Sequence, residues 1–137
     1  MATYLFAYGT LRQGLNSPVN DFFKRHTSWH GKGYMPGYLF DLGDYPGAVF
    51  VPESPQQVWG DIFLISDEEE LLPMLDEYEG CGAQVAQEER EYDRIVAPIV
   101  TEDEKLRCWV YHYRLSTQDL KRIPHGDFLK YMEELES

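Results

Sequence analysis

The sequence predicts an α+β fold in a single domain covering residues 1–137. A chain of 137 residues has the length of one ordinary domain. Its composition, 43% hydrophobic and 15% aromatic, is that of a globular protein and not of a disordered one. Short β-branched and aromatic runs outnumber helical patterns, and the helical patterns fall irregularly between them. This order favours α+β over a regularly alternating α/β fold.

Six segments have the pattern of strands. The last two are separated by the polar residues 101–105, which predicts a hairpin. In the final segment, Cys108 and Val110 alternate with Trp109 and Tyr111, so both faces are apolar and the strand is expected to be covered on both sides. The six predicted strands are Thr3–Tyr8, Gly37–Leu42, Ala48–Val51, Val58–Ile65, Tyr92–Val100 and Leu106–Arg114.

Three segments have helical signals. Ser17 before Pro18 predicts a helix from Pro18 to His26, and Trp29 to Gly33 then reads as the end of this helix and its exit loop. A capping box formed by Ser66 and Glu69 predicts a second helix that runs to Gly80. Pro73 should kink this helix or divide it into two pieces. Apolar residues at helical spacing predict a third helix over Asp127–Leu135, capped by Asp127.

Charge and cysteine content exclude several classes of partner. With 12 basic and 24 acidic residues the net charge is -12, which argues against binding nucleic acid or an anionic membrane surface. A small anionic ligand is still compatible with this charge. Two cysteines, Cys81 and Cys108, predict free thiols in a reducing compartment. Because the chain has no membrane-length apolar run and no signal-peptide pattern, we expect a cytoplasmic protein.

One carboxyl is expected to face inward. On the second predicted helix, Leu72, Leu75 and Glu79 fall on one face, whereas Glu77 projects to another side and should stay solvated. An inward carboxylate loses hydration, which raises its pKa and makes it a better base near neutral pH. Glu79 therefore fits two interpretations, an active-site base or the last residue of a frayed helix bonded to a loop amide.

A glycine-containing turn follows the first predicted strand. Gly9 allows the backbone to bend or to approach a ligand closely, and successive amides in such a turn can form a nest for an anion. The segment Tyr8–Gly14 lacks the spacing of a P-loop or of a dinucleotide-binding turn, so a plain strand-to-loop turn is the competing interpretation. His26 and His30 are four residues apart, but without other metal-binding motifs we expect solvated or core histidines and no metal site.

The turn and the carboxyl belong to blocks that a known family has in the same order. The chain resembles the γ-glutamylcyclotransferase-like family, particularly its small γ-glutamylamine cyclotransferase-type members. The resemblance spans Tyr8 to about Tyr113. Its blocks are Tyr8–Gly14 (Y-G-[ST]-L and a basic residue), Gly37–Gly47 (G-x-L-Y-x-L-G-x-Y-P), Val58–Phe63 (V-x-G-x-[LV]-[YF]), Leu75–Gly80 (L-D-x-x-E-G), Tyr92–Val96 (Y-x-R-x-x-V) and Trp109–Tyr111 (aromatic-V-Y).

The resemblance implies a fold, a site and a reaction. The fold is a mixed β-barrel of about six strands with helices packed around it. The catalytic residue is the glutamate of L-D-x-x-E-G, here Glu79, and the substrate cradle is the turn formed by Tyr8, Gly9, Thr10 and Leu11. The implied reaction is an intramolecular cyclisation of a γ-glutamyl amine or peptide that releases 5-oxoproline and an amine, with no cofactor or metal.

Two alternatives stay open beside this reaction. One is a non-catalytic module that keeps the barrel and binds a small molecule, although an intact Glu79 favours the enzyme. The other is a related enzyme that unmasks a γ-glutamyl-protected metabolite. Arg12 either supplies positive charge near the site or pairs with a surface carboxylate.

Overall fold

Seven strands form one mixed sheet in the part of the chain that the structure describes. The structure, a computed structural model, describes residues 2–9, 18–43, 45–81, 86, 88 and 90–136. The strands are β1 (Tyr4–Ala7), β2 (Thr27–Asp41), β3 (Pro46–Phe50), β4 (Gln57–Ile65), β5 (Tyr92–Val100), β6 (Lys105–Tyr113) and β7 (Lys121–Arg122).

Five of these strands close into a barrel. β1 pairs with β4, β4 with β2, β2 with β5 and β5 with β6, all antiparallel, and the parallel pairing of β6 with β1 completes the ring. β3 extends the sheet between β2 and β6, and the short β7 pairs with β2. The predicted mixed barrel and the predicted β5–β6 hairpin are therefore confirmed.

Within the described ranges, three helices accompany the barrel: α1 (Pro18–Arg25), α2 (Glu68–Tyr78) and α3 (Phe128–Glu136). The predicted capping box is wrong by one residue, because the N-cap is Asp67, whose carboxylate accepts a hydrogen bond from the Glu70 amide. α2 also runs through Pro73 as one helix, so the predicted division is wrong. Asp127 caps α3 as predicted, since it accepts from the Lys130 amide at 3.3 Å.

The largest error of the sequence prediction lies directly after α1. Trp29 to Gly33, predicted as a helix end and exit loop, belong to the 15-residue strand β2. β2 pairs with β4 from Thr27 to Pro36, with one irregularity between Trp29 and Gly31. Pairing with this distant strand satisfies the backbone hydrogen bonds of the segment. Its own glycines and exposed side chains do not indicate a strand.

Two clusters of buried side chains lie on opposite faces of the sheet. One is formed by alternate residues of the barrel strands, such as Phe6, Met35 and Ile62, and includes Phe128 of α3. The other packs α1 and α2 against the outside of the sheet. The predicted alternation along β6 is confirmed, because Val110 belongs to the first cluster and Tyr111 to the second. None of the described helices is long and apolar enough to cross a membrane.

Candidate active site

A cavity of about 440 Å³ opens where the end of β1, the start of β3 and the C-terminus of α2 meet. This volume lies in the range of small-molecule sites. Most of the described lining residues are aromatic or apolar, and two of them carry carboxyl side chains. The described lining residues are Leu5, Phe6, Ala7, Tyr8, Gly9, Tyr45, Pro46, Tyr78, Glu79, Gly80, Glu91, Tyr92 and Tyr111.

The end of α2 directs Glu79 into this cavity. Gly80 has a positive φ of 75°, and its amide bonds the Glu77 carbonyl at 3.1 Å. The Cys81 amide bonds the Asp76 carbonyl at 2.8 Å, which completes a Schellman motif with Glu79 as the C-cap. The predicted helix faces are observed, because Leu72 and Leu75 are buried and Glu77 is exposed. A fixed helix end thus places the Glu79 carboxyl in the cavity wall.

The Glu79 carboxyl has the electrostatic character of a base for neutral pH. Burial, and secondarily the negative charge of Glu91, raises its pKa from the ordinary 4.5 to about 7. Its side chain forms no hydrogen bond or ion pair with any described residue. A desolvated carboxyl that lines a cavity can exchange a proton with a bound molecule.

A partly buried ion pair, which the sequence did not predict, holds α2 against the barrel. Arg94 of β5 donates from Nε to Asp76 Oδ1 at 2.7 Å and from a terminal nitrogen to Oδ2 at 3.0 Å. Its guanidinium lies 4.4 Å from the ring centroid of Trp109, and the Tyr111 hydroxyl donates to Asp76 Oδ1 at 2.8 Å. A bidentate pair of this kind fixes both partners in one geometry. It anchors the helix one turn before Glu79.

Buried tyrosines join the strands around the cavity. The Tyr8 hydroxyl donates to the Tyr111 carbonyl at 2.5 Å, and the Tyr92 hydroxyl donates to the Pro46 carbonyl at 2.8 Å. Burial raises the pKa of both phenols, and the negative charge of Glu79 adds to the increase at Tyr8. Both side chains therefore remain neutral hydrogen-bond donors at physiological pH.

Of the predicted turn, Tyr8 and Gly9 line the cavity together with Glu79. The structure also explains the glycine, because a Cβ at Gly9 would come within 2.9 Å of the Pro46 ring. Gly9 thus permits the close approach of β1 to β3. Thr10, Leu11 and Arg12 lie outside the described residues.

A second carboxyl at the cavity, Glu91, was also missed from the sequence, and no local pattern marks it. The Tyr45 hydroxyl donates to Glu91 Oε2 at 2.9 Å. This hydrogen bond, followed by burial, raises the pKa of Tyr45 to about 12. The backbone carbonyl of Glu91 accepts from the Arg114 amide at 2.9 Å, which ties this residue to the end of β6. Glu91 and Glu79 therefore face one space from two different elements.

The other candidates from the sequence lie apart from the cavity. His26 bonds the Phe22 carbonyl, and His30 pairs with Glu104 at 3.0 Å. Within the described part of the chain, no group of three or more His, Cys, Asp or Glu side chains could hold a metal. Cys81 and Cys108 are free, as predicted, and both are buried. Burial raises the pKa of the Cys81 thiol to about 11 and that of the Cys108 thiol to about 12.

Solved structures share this fold at low sequence identity. YkqA from Bacillus subtilis has a TM-score of 0.73 and 21% identity over 99% of this chain and 43% of that one, so the chain spans less than half of YkqA. An AIG2-like protein from Mus musculus has a TM-score of 0.69 and 21% identity over 93% of this chain and 88% of its own. A protein named gamma-glutamyl cyclotransferase has a TM-score of 0.59 and 15% identity over 100% of this chain and 88% of its own.

Sequence comparison identifies the family more directly than the fold does. A comparison with curated proteins gives no match. A family profile described as "Gamma-glutamyl cyclotransferase, AIG2-like" matches residues 5–130, which contain the cavity, α2 and most of the barrel. The match covers most of the chain and agrees with the barrel observed. The chain therefore belongs to the gamma-glutamyl cyclotransferase, AIG2-like family.

Proposed function

We propose that this protein is a cyclotransferase that converts a γ-glutamyl amine or peptide into 5-oxoproline and a free amine, with Glu79 as general acid and base. The observation that carries the proposal is the Glu79 carboxyl, which lines the same cavity as Tyr8 and Gly9 and has a pKa raised to about 7. Membership of the family supports the same reaction class.

The substrate contains both reacting groups. Its α-nitrogen attacks its own γ-carbonyl carbon, a C–N bond closes a five-membered ring, and the C–N bond to the leaving amine breaks. Glu79 removes a proton from the α-ammonium before the attack, and the same nitrogen loses a second proton once the ring has closed. Both protons pass to the leaving nitrogen, which departs as an ammonium, so no water or cofactor is consumed. Holding the substrate in its reactive conformer can remove about 7–11 kcal/mol of the barrier in well-oriented intramolecular reactions.

The raised pKa of Glu79 brings the free energy of the first proton transfer, from the α-ammonium to the carboxylate, close to zero. An α-ammonium titrates at about 8, so transfer to a carboxylate with an ordinary pKa costs about 5 kcal/mol. With the pKa of Glu79 at about 7, the same transfer costs about 1 kcal/mol. General base catalysis near neutral pH requires a base whose pKa lies close to that of the group it deprotonates, as it does here.

The turn after β1 supplies the second part of the proposal. Backbone amides of Gly9, Thr10 and Leu11 would hold the glutamyl carboxylate or the carbonyl oxygen that develops negative charge. Tyr8, fixed to the Tyr111 carbonyl, sets the end of β1 from which this turn departs. Gly9 contributes through its close approach to Pro46, which no side chain would permit.

A screen of γ-glutamyl amines and γ-glutamyl dipeptides tests the proposal, with 5-oxoproline measured by mass spectrometry. We expect at least one compound to yield 5-oxoproline and free amine in equal amounts. No release from any compound, together with binding of one or more of them by calorimetry, would favour the non-catalytic binding module instead.

A further inference from the structure

The proposed cyclisation moves two protons, and the Glu79 carboxyl can hold one at a time. The attacking nitrogen gives its first proton to Glu79 before the attack and must lose another once it is bonded to the carbonyl carbon. At that stage Glu79 is already protonated. If it protonated the leaving nitrogen first, two nitrogens on one carbon would both be positive, and like charges so close repel strongly. A second base beside the ring nitrogen would remove this conflict.

Glu91 brings a second carboxyl to the same cavity from another element. Glu79 lies at the C-terminus of α2 and Glu91 lies one residue before β5, and both residues line the cavity. Among the described lining residues, no other carboxyl and no lysine, arginine or histidine accompanies them. The family motif Tyr92–Val96 begins one residue later, so the resemblance gives Glu91 no role.

Glu91 is held in a fixed orientation at the cavity. The Tyr45 hydroxyl donates to Glu91 Oε2 at 2.9 Å, and the Arg114 amide donates to the Glu91 backbone carbonyl at 2.9 Å. The first bond orients the side chain and the second fixes the backbone from which it projects. A carboxylate has acceptor capacity on two oxygens, so one that is oriented through Oε2 can still accept a proton on Oε1.

The two carboxyls are close enough for each to influence the groups around the other. The hydrogen bond to Glu91 is the main cause of the raised pKa of Tyr45, about 12, and the negative charge of Glu79 adds to it. After burial, the negative charge of Glu91 is also a cause of the raised pKa of Glu79. A single small molecule in a cavity of about 440 Å³ can therefore lie between Glu79 and Glu91.

We propose that Glu91 is a second catalytic residue, which accepts the second proton of the ring nitrogen while Glu79 delivers the first to the leaving nitrogen. This inference rests on the proposed function and divides its proton transfers between two groups. An N–H bond of the ring nitrogen breaks toward Glu91, an N–H bond forms from Glu79 to the leaving nitrogen, and the C–N bond to the leaving amine then breaks. Glu91 passes its proton to the released amine, so both carboxylates are regenerated.

The test compares two substrates that depend differently on the second proton transfer. A strongly basic amine leaves γ-glutamyl butylamide only after the proton exchange between the two nitrogens, so this exchange limits the rate. The very weakly basic amine of γ-glutamyl 4-nitroanilide leaves readily, so the attack limits the rate and the second proton moves afterwards. Both are measured as 5-oxoproline release at about pH 8, where Glu79 is mostly deprotonated.

Three variants assign the two proton transfers to their residues. Glu91→Gln keeps the size of the side chain and an acceptor for the Tyr45 hydroxyl but cannot take a proton. It should lower kcat about 100-fold on the butylamide and less than about threefold on the nitroanilide, whose turnover also reports that the variant is folded. Glu79→Gln removes the first transfer and should lower kcat on both substrates. Glu77→Gln removes an exposed carboxyl and should change neither.

Three results would overturn the inference. Wild-type kcat on both substrates in Glu91→Gln would leave all of the proton transfer to Glu79. An equal loss on both substrates in that variant would assign Glu91 to folding or to substrate binding. These two results would leave the cyclotransferase function intact. Absence of 5-oxoproline from both compounds and from the whole wider screen would reject the proposed function, and the role of Glu91 with it.

Discussion

Replacing Glu79 by glutamine should stabilise the folded protein above neutral pH. Because burial raises the pKa of this carboxyl to about 7 from 4.5, the folded state binds its proton more tightly than the unfolded state. Stability is therefore lost as pH rises from about 4.5 to about 7, and the loss is complete above that range. Glutamine is neutral in both states and removes this cost.

The size of this stability gain follows from the pKa of Glu79 in the unfolded and folded states. The cost of ionising Glu79 in the folded state is about 1 kcal/mol at pH 5 and about 3 kcal/mol at pH 8. Glu79 is partly exposed, and solvent screening makes these figures upper bounds. Glu79→Gln should thus gain stability over the wild type, and the gain should grow by up to about 2 kcal/mol between the two pH values.

Urea denaturation at pH 5 and at pH 8 measures this gain, with Glu77→Gln as the matched control. Glu77 is exposed on the same helix end, so its replacement should change stability little at either pH. A Glu79→Gln gain that does not depend on pH, or a loss of stability at pH 8, would refute the idea that the fold holds this carboxyl in a desolvated position.

Three further predictions concern the site and its support. For a good substrate, kcat/KM should rise with pH through about 7, because Glu79 must lose its proton to act as a base, and a profile flat from pH 5 to 8 would contradict this. Arg94→Met should lower kcat about 10-fold or more because it breaks the ion pair with Asp76, and Arg94→Lys should recover part of this loss, with the midpoint of the pH profile unchanged in both variants. An unchanged kcat in Arg94→Met would argue against a positioning role for Arg94. Gly126→Ala should destabilise the protein by about 2 kcal/mol or more, because Gly126 has a φ of +66° and a Cβ there would overlap the Gln57 carbonyl. Urea denaturation measures this loss, activity per folded molecule should not change, and a variant as stable as the wild type would contradict the reasoning.

Features set by local sequence were predictable. The β5–β6 hairpin follows from two apolar runs around residues 101–105, and the register observed between Tyr92 and Tyr113 agrees with it. The inward face of α2 follows from helical spacing, since Leu75 and Glu79 lie four residues apart. The same spacing predicts that Glu79 faces the protein interior and Glu77 the solvent, as the structure shows.

Features set by distant partners were not predictable. The first half of β2 is a strand because it pairs with β4, about 30 residues away, although its own residues around Trp29 are exposed. Tyr45 and Glu91 are 46 residues apart and meet only because β3 and β5 are brought to one end of the barrel. The family motifs contain both Asp76 and Arg94 but do not indicate that they pair.

In the proposed reaction, the Glu79 carboxyl moves the proton that permits cyclisation. The most direct measurement is the rate of 5-oxoproline release by Glu79→Gln and by Glu77→Gln, on the best substrate and with both variants folded. We predict a loss of about 10²–10⁴ for Glu79→Gln and a rate within about twofold of wild type for Glu77→Gln. Retention of near-wild-type release by Glu79→Gln, or an equal loss in both variants, would contradict the account.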